Sequence, residues 1–325
     1  MKTVCTLAPD FLNSMAIPFP PQWSLEFVPY KSGALMSALE DADCWFVSSL
    51  QPVNEEKLQH AKRLRLVNTL GVGFNKIDLD YTRERGIYVC NGRGTNGRAV
   101  AEHAVSLMLA GLRRLTHYER LALSGQFQYA LLDYGVQGFS ELGTRKVGLI
   151  GLGETGSETA RFLTAFGCEV YYYKRNRADA ETERSLCVQY LPFETLLKTC
   201  DIISLHVPSS KETIGMIGEK EINMMRPDTL LINVARGEII DTGALVSALE
   251  TGRIFGAALD TTYPEPPGTD HPLLNLSENA RLRLILTPHI AGVTRQSKEA
   301  AIKKLVANIR AVENGERPRN IVNGL

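Results

Sequence analysis

Three polar residues stand at or just beyond the ends of apolar, β-branched runs: Arg236 in Asn233-Val-Ala-Arg236-Gly, Glu265 in Leu259-Asp260-Thr-Thr-Tyr-Pro-Glu265-Pro, and His289 in Thr287-Pro-His289-Ile-Ala-Gly292. A fixed cation, a histidine and a carboxylate are residue types that can together hold a developing negative charge and move one proton. A histidine beside a carboxylate favours its protonated form, which keeps it a competent acid near neutrality. Taken singly, each residue has a plainer reading: Arg236 as a surface cation, Glu265 as a turn residue, His289 as a satisfied structural histidine.

A dinucleotide site has its own signature. Gly151-Leu-Gly153-Glu154-Thr155-Gly156 follows the run Lys146-Val-Gly-Leu-Ile and opens a helix. Glycines there permit a tight turn, let the backbone approach a pyrophosphate and let helix and strand pack closely, while the helix N-terminus attracts phosphate. Glu154 is out of character inside such a turn, because a neutral or basic side chain suits a pyrophosphate better; it is expected to point into water. About 20 residues beyond the glycines an NAD site carries Asp or Glu for the ribose 2′-hydroxyl. Here the strand ends Tyr173-Lys174-Arg175-Asn176-Arg177 with no carboxylate. A carboxylate repels a 2′-phosphate, whereas Lys and Arg pair with it. The expectation is NADP(H) in preference to NAD(H), with Arg175 the main contact, Lys174 and Asn176 assisting, and Arg177 a further local cation. A solvated basic loop is the plainer alternative.

These residues need strands to carry them. From Lys146 onward, short β-branched runs alternate with helical patterns, ending at Arg283-Leu-Ile-Leu-Thr287, as in a parallel, doubly wound α/β sheet covered by helices on both faces. The first hundred residues repeat the style in weaker form and predict a second, smaller α/β unit. The apolar run Ala99 to Leu112 reads as a helix buried between the two, and Ser297 to Glu313 as a C-terminal helix. At 325 residues the chain is about twice the length of a typical domain, consistent with two.

Composition narrows the field. Lys plus Arg and Asp plus Glu both number 36, so neither nucleic acid nor an acidic membrane surface is an expected partner. No secretory leader is read at the start, and no run reaches the roughly 18 apolar residues of a membrane span. Six scattered cysteines, without a CxxC pair or a histidine at ligand spacing, read as reduced cytoplasmic thiols and support no metal site.

Taken together, the glycine turn, the three polar segments, Leu70-Gly-Val72-Gly73-Phe-Asn, Ala99-Val-Ala-Glu-His103, Glu141-Leu-Gly-Thr-Arg and Leu205-His206-Val-Pro208 with Thr213 beyond closely resemble the D-isomer-specific 2-hydroxyacid dehydrogenases, over nearly the whole chain. The resemblance implies that Arg236 holds the substrate carboxylate and polarises the ketone, that His289 exchanges the proton, and that Glu265 hydrogen-bonds His289. By the same matching, backbone amides of Val72 and Gly73 hold the substrate carboxylate, and His206, Pro208, Ala235, Asp260 and Gly292 line the cofactor, with Asp260 toward the nicotinamide carboxamide. His103 matches a family position but reads as structural; His60, His117 and His271 have no motif support.

The resemblance also implies a Rossmann NAD(P)-binding domain, residues 99–290, inserted into a flavodoxin-like substrate domain, residues 1–98 plus 291–325. The site would lie in the cleft between them, and closure would expel water. A small 2-oxo acid such as glyoxylate or hydroxypyruvate is the implied substrate and a homodimer the implied assembly; a nucleotide-sensing corepressor-like binding protein is the rival reading. Three departures stand out: Thr261-Thr262-Tyr263 after the aspartate, Asn91-Gly-Arg93-Gly94 in place of a proline-containing turn, and a Leu121 to Phe139 segment without the tryptophan often found in the dimer-forming arm.

Overall fold

The computed structural model describes residues 1–10 and 19–325. The chain divides into two compact units, Met1–Asn96 with Val293–Leu325, and Gly97–Gly292.

The first unit is built on a parallel sheet of β1 (Lys2–Cys5), β2 (Ser24–Phe27), β3 (Cys44–Val47), β4 (Leu66–Thr69) and β5 (Tyr88–Cys90), in the order β2-β1-β3-β4-β5. Successive side chains on a strand face opposite ways. Val4, Trp45, Val67 and Val89 accordingly join a core with Leu35, Leu39 and Leu58 on one face. Their neighbours Cys5, Phe46, Leu66 and Cys90 join Ile302, Leu305, Ile309 and Val312 of the helix Arg295–Glu313 on the other. Burial on both faces is why Cys44–Val47 reads as an unbroken apolar run, whereas the edge strand Ser24–Phe27, exposed to half-buried, does not. Each of those four helix side chains contributes about 1.5–3 kcal/mol by leaving water. Polar anchors fix the helix in register: Trp23 Nε1 donates to both Glu313 carboxylate oxygens at 3.0 and 2.9 Å, and buried Asn308 donates to Asn68 Oδ1 at 2.9 Å.

The second unit holds β6 (Lys146–Ile150), β7 (Glu169–Tyr173), β8 (Val188–Tyr190), β9 (Ile202–Leu205), β10 (Leu230–Asn233), β11 (Gly256–Leu259) and β12 (Leu284–Leu286), all parallel, in the order β12-β11-β10-β9-β6-β7-β8. The chain winds outward from β6 through β7 to β8, then returns to the other side of β6 for β9. That reversal opens a crevice at the C-terminal ends of β6 and β9, the usual ligand position in such sheets. Alternation again splits the core, with Leu230, Ile232 and Ala258 on one face and Leu231, Ala257 and Leu259 on the other.

The apolar helix Gly97–Leu112 belongs to this unit. Its Ala104, Leu107, Met108 and Leu112 pack into the Leu230 face, and a Cβ on Gly111 would come within 2.7 Å of the Leu230 side chain. The periodicity does not show the short strand β8 or the helices Leu115–Leu123 and Phe127–Gln137. No described helix is long and apolar enough to cross a membrane.

Candidate active site

Because the second sheet is parallel, the loops leaving its strands gather along one edge. The glycine turn after β6 has three different jobs. Gly151 has φ 103°, and a Cβ there would lie 2.6 Å from the carbonyl oxygen of His206, so only glycine lets β6 turn so close to the end of β9. A Cβ on Gly156 would lie 2.2 Å from Gly151 O, so its absence lets the helix Glu154–Ala165 sit down on the strand. Around Gly153, by contrast, no heavy atom outside its chain neighbours lies within 4 Å of the Cβ position. That open face at the start of a 12-residue helix fits the approach of a pyrophosphate to Gly153 and the amides of Glu154 and Thr155. The Glu154 side chain does not merely meet water. Its Cγ and Oε1 lie 2.8 Å from where a Cβ on Gly97 would be, beside the N-terminus of the helix Gly97–Leu112, where negative charge is favoured.

Gly151 N donates to Tyr173 O at 2.8 Å, joining the turn to the end of β7 and the run Lys174-Arg175-Asn176. Among the described residues no salt bridge engages Lys174 or Arg175, and Arg175 and Asn176 are exposed. Arg177 departs from the expectation of a phosphate-directed cation. Its guanidinium makes paired bonds to Glu183 at 2.8 Å each and lies over the Tyr190 ring. Arg177 and then Tyr172 hold the Glu183 carboxyl down at about 2.

His206 ends β9 in the crevice. Its Nε2 is 2.9 Å from Ser204 Oγ, while Nδ1 is buried with no partner, and desolvation pushes its pKa down to about 4. A neutral ring with one orphaned nitrogen suits a hydrogen bond to a bound ligand. Thr213 uses its hydroxyl within its own loop, donating to Pro208 O at 2.6 Å and accepting from Ser210 N at 2.8 Å, so it shapes the Pro208 loop.

The adjacent strands β10, β11 and β12 carry the polar triad. Asn233 clamps the turn after β10, accepting from Ala235 N at 3.0 Å and donating to Arg236 O at 2.9 Å, and Arg236 Nη1 donates to Ala235 O at 2.7 Å. A Cβ on Gly237 would lie 2.1 Å from the Thr262 carbonyl carbon, so this glycine lets the β10 and β11 loops touch. Thr261 is buried with an unpartnered hydroxyl, and His271, itself buried, lies 3.0 Å from Tyr263 O, bracing the loop toward Glu265. His289 Nδ1 is 2.7 Å from Glu265 Oε1, which fixes the ring and leaves Nε2 with no bond to a described residue.

His289 also has φ 54°, a left-handed backbone that costs a non-glycine residue about 1–2 kcal/mol. Asp260 stabilises it. Its main-chain oxygen accepts from His289 N at 2.8 Å, its Oδ1 from Thr287 Oγ1 at 2.5 Å and Ile290 N at 2.9 Å, and its Oδ2 from Ala291 N at 2.9 Å. Burial opposes ionisation of this carboxyl, but bonds from His103, Thr287 and the two amides outweigh it, and its pKa lies below the ordinary value. Asp260 is thus a buried anchor for the loop that carries His289. Gly292 is the last residue of this unit and Ala235 is half-buried in the clamped turn.

Val72 and Gly73 lie in the first unit, in the loop after β4. Val72 O accepts from Asn91 Nδ2 at 2.7 Å and Gly71 O from Gly92 N at 2.8 Å, so the Asn91-Gly92 turn, without a proline, holds that loop.

Residues 105–291 match the family model "D-isomer specific 2-hydroxyacid dehydrogenase, NAD binding domain". The chain belongs to the D-isomer-specific 2-hydroxyacid dehydrogenase family. It is 36% identical over 299 residues to the glyoxylate reductase of Thermococcus litoralis, covering 90% of this chain and 86% of that one. Among solved structures it is similar to D-lactate dehydrogenase from Aquifex aeolicus complexed with NAD and lactic acid (TM-score 0.82, 29% identity, all of both chains). It is also similar to D-mandelate dehydrogenase from Rhodotorula graminis (TM-score 0.84, 26% identity, 99% of this chain and 97% of that one). As a 2-hydroxyacid dehydrogenase, the protein is an NAD(P)-dependent oxidoreductase of 2-oxo acids, and the corepressor reading is not favoured.

The dehydrogenase's inner layer is not legible in its sequence. Asn233, Thr287 and His271 were visible only as letters within or near motifs, and His103 read as structural. His103 and Thr287 meet although 184 residues apart, a separation no local pattern signals.

Proposed function

We propose that the protein is an NADPH-linked reductase of small 2-oxo acids, glyoxylate and hydroxypyruvate first among them, giving glycolate from the first and D-2-hydroxy acids from the larger ones. The observation that carries the reading is the 2.7 Å bond between His289 Nδ1 and Glu265, on a loop whose neighbouring strand end presents Arg236. Nicotinamide supplies the hydride when bound. Arg236 holds the substrate carboxylate and polarises the ketone, His289 Nε2–H gives its proton to the oxygen as charge develops there, and Glu265 keeps the imidazole oriented. Substrate binding through the backbone amides of Val72 and Gly73 is assigned to the first unit, and dinucleotide binding to the second.

Gly153 and the amides of Glu154 and Thr155 receive the pyrophosphate, and Arg175, with Lys174 and Asn176, the 2′-phosphate. The lack of a carboxylate after β7 supports NADPH over NADH. His206 Nδ1, Pro208, Ala235, Asp260 and Gly292 line the remainder. A cytoplasmic homodimer is the proposed setting. It is supported by six unpaired cysteines and by Leu123, Phe127, Tyr129 and Leu132, all exposed on the helices Leu115–Leu123 and Phe127–Gln137.

The test is NADPH and NADH consumption with glyoxylate, hydroxypyruvate, pyruvate and bulkier 2-oxo acids. Turnover fastest with NADPH and with glyoxylate and hydroxypyruvate supports the proposal; nucleotide binding with no turnover on any of the acids overturns it.

A further inference from the structure

We infer that His103 is a positioning residue for His289, acting through Thr287 and Asp260 without touching substrate. The inference rests on the reading of His289 as the proton donor. Thr287 Oγ1 has one hydrogen, and it goes to Asp260 Oδ1 at 2.5 Å. The hydroxyl oxygen is then left to accept, and His103 Nε2 lies 3.0 Å from it and 3.4 Å from the same Asp260 oxygen. Nε2 therefore carries the hydrogen, and a directed chain runs from His103 through Thr287 to Asp260.

That chain ends on the carboxylate that fixes both flanks of His289. Asp260 Oδ1 binds Thr287 on one side and Ile290 N on the other, while Oδ2 binds Ala291 N. The loop alone is a poor support, since His289 sits in a left-handed conformation on an irregular segment. The helix bearing His103 is a good one, because Ala104, Leu107 and Met108 seat it in the core of the second unit. His103 thus ties a catalytic loop to a packed helix, and its loss would let Thr287 and the carboxylate drift. A displacement of about 1 Å in such a constellation costs on the order of 10² in rate.

The experiment compares His103→Leu, which removes the donor, with His103→Gln, whose amide N–H stands near the place of Nε2, using NADPH and glyoxylate. His103→Leu should lower kcat by roughly 10- to 10²-fold. KM for glyoxylate and the NADPH dissociation constant from nicotinamide fluorescence should stay within about twofold. His103→Gln should recover most of kcat, and Thr287→Val added to His103→Leu should cost little more, because both break one chain. Unchanged kcat in His103→Leu, equal slowing in both variants, or an effect on NADPH affinity alone would overturn the inference. Should His103→Leu not fold, His103→Asn, whose amide is too short to reach Thr287, takes its place: slowed turnover supports the inference and unchanged turnover overturns it. His289→Gln run in parallel separates the two readings. Turnover retained there removes the proton donor and this inference with it; an inactive His289→Gln beside an unaffected His103→Leu removes this inference alone.

Discussion

Replacing Asp260 by asparagine sets an NH₂ group where the protein supplies only donors. Oδ1 accepts from Thr287 Oγ1 and Ile290 N, and Oδ2 from Ala291 N, so either orientation of the amide opposes at least one of them. The gentler orientation turns Nδ2 toward Ala291. It forfeits a bond to a charged acceptor worth about 1.5–3 kcal/mol and leaves a buried N–H unpaired at about 1–3 kcal/mol. Relief from burying a charge offsets part of that, leaving an expected loss of about 2–4 kcal/mol. The assay is urea unfolding of the second unit, paired with hydrogen exchange across residues 287–292. The Ala291 amide should lose protection, and kcat should fall with it. Because the Asp260 carboxyl lies below its ordinary value, its contribution is present at neutrality and lost as pH falls through the depressed value. The gap between wild type and Asp260→Asn should therefore close below about pH 4. A loss under about 1 kcal/mol at pH 7, with Ala291 still protected, would refute the role assigned to this carboxylate.

Arg175→Ala should raise KM for NADPH by about tenfold or more while leaving KM for NADH nearly unchanged, since one charge-assisted phosphate contact is worth about 1.5–3 kcal/mol; equal effects on both cofactors would contradict it. Gly153→Ala should keep its unfolding midpoint yet bind NADPH more weakly, because its Cβ enters open space, whereas Gly156→Ala should lose stability, because its Cβ would meet Gly151 O at 2.2 Å. Calorimetry and nucleotide titration of the pair separate the two roles. His206 is disfavoured as a cation in the folded protein, with its pKa pushed down to about 4, so the unfolded chain takes up its proton first as pH falls. Stability should drop between about pH 6.5 and 4, by at most about 3 kcal/mol from this group, and His206→Leu should flatten that slope when unfolding is followed against pH.

What the sequence disclosed about the fold followed from burial on two faces. Strands such as Leu230–Asn233 and Ile202–Leu205 are buried throughout and read as short apolar runs, whereas Val188–Tyr190 alternates in exposure over only three residues and passes unseen. The helices after Leu112 were missed because Leu123, Phe127 and Leu132 face solvent, which blurs the usual contrast of apolar and polar faces. The glycine turn was legible because its three glycines recur at short fixed spacing after a strand; the Gly156 constraint is local, against Gly151 O, although Gly151 itself answers to the distant His206 carbonyl. The layer beneath His289 was not, because Asp260 meets Ile290 and Ala291 across 30 and 31 residues and His103 meets Thr287 across 184. Arg177 shows the converse error, a cation in the expected stretch whose charge a nearby Glu183 already takes.

The most direct measurement is NADPH-dependent reduction of glyoxylate by the wild-type protein and by His289→Gln, with NADPH affinity determined for both. A positioned acid is worth about 10² to 10⁴ in rate, so the variant should lose that much kcat while binding NADPH as tightly as the parent. Equal turnover by the two proteins would contradict the assignment of His289 as the proton donor.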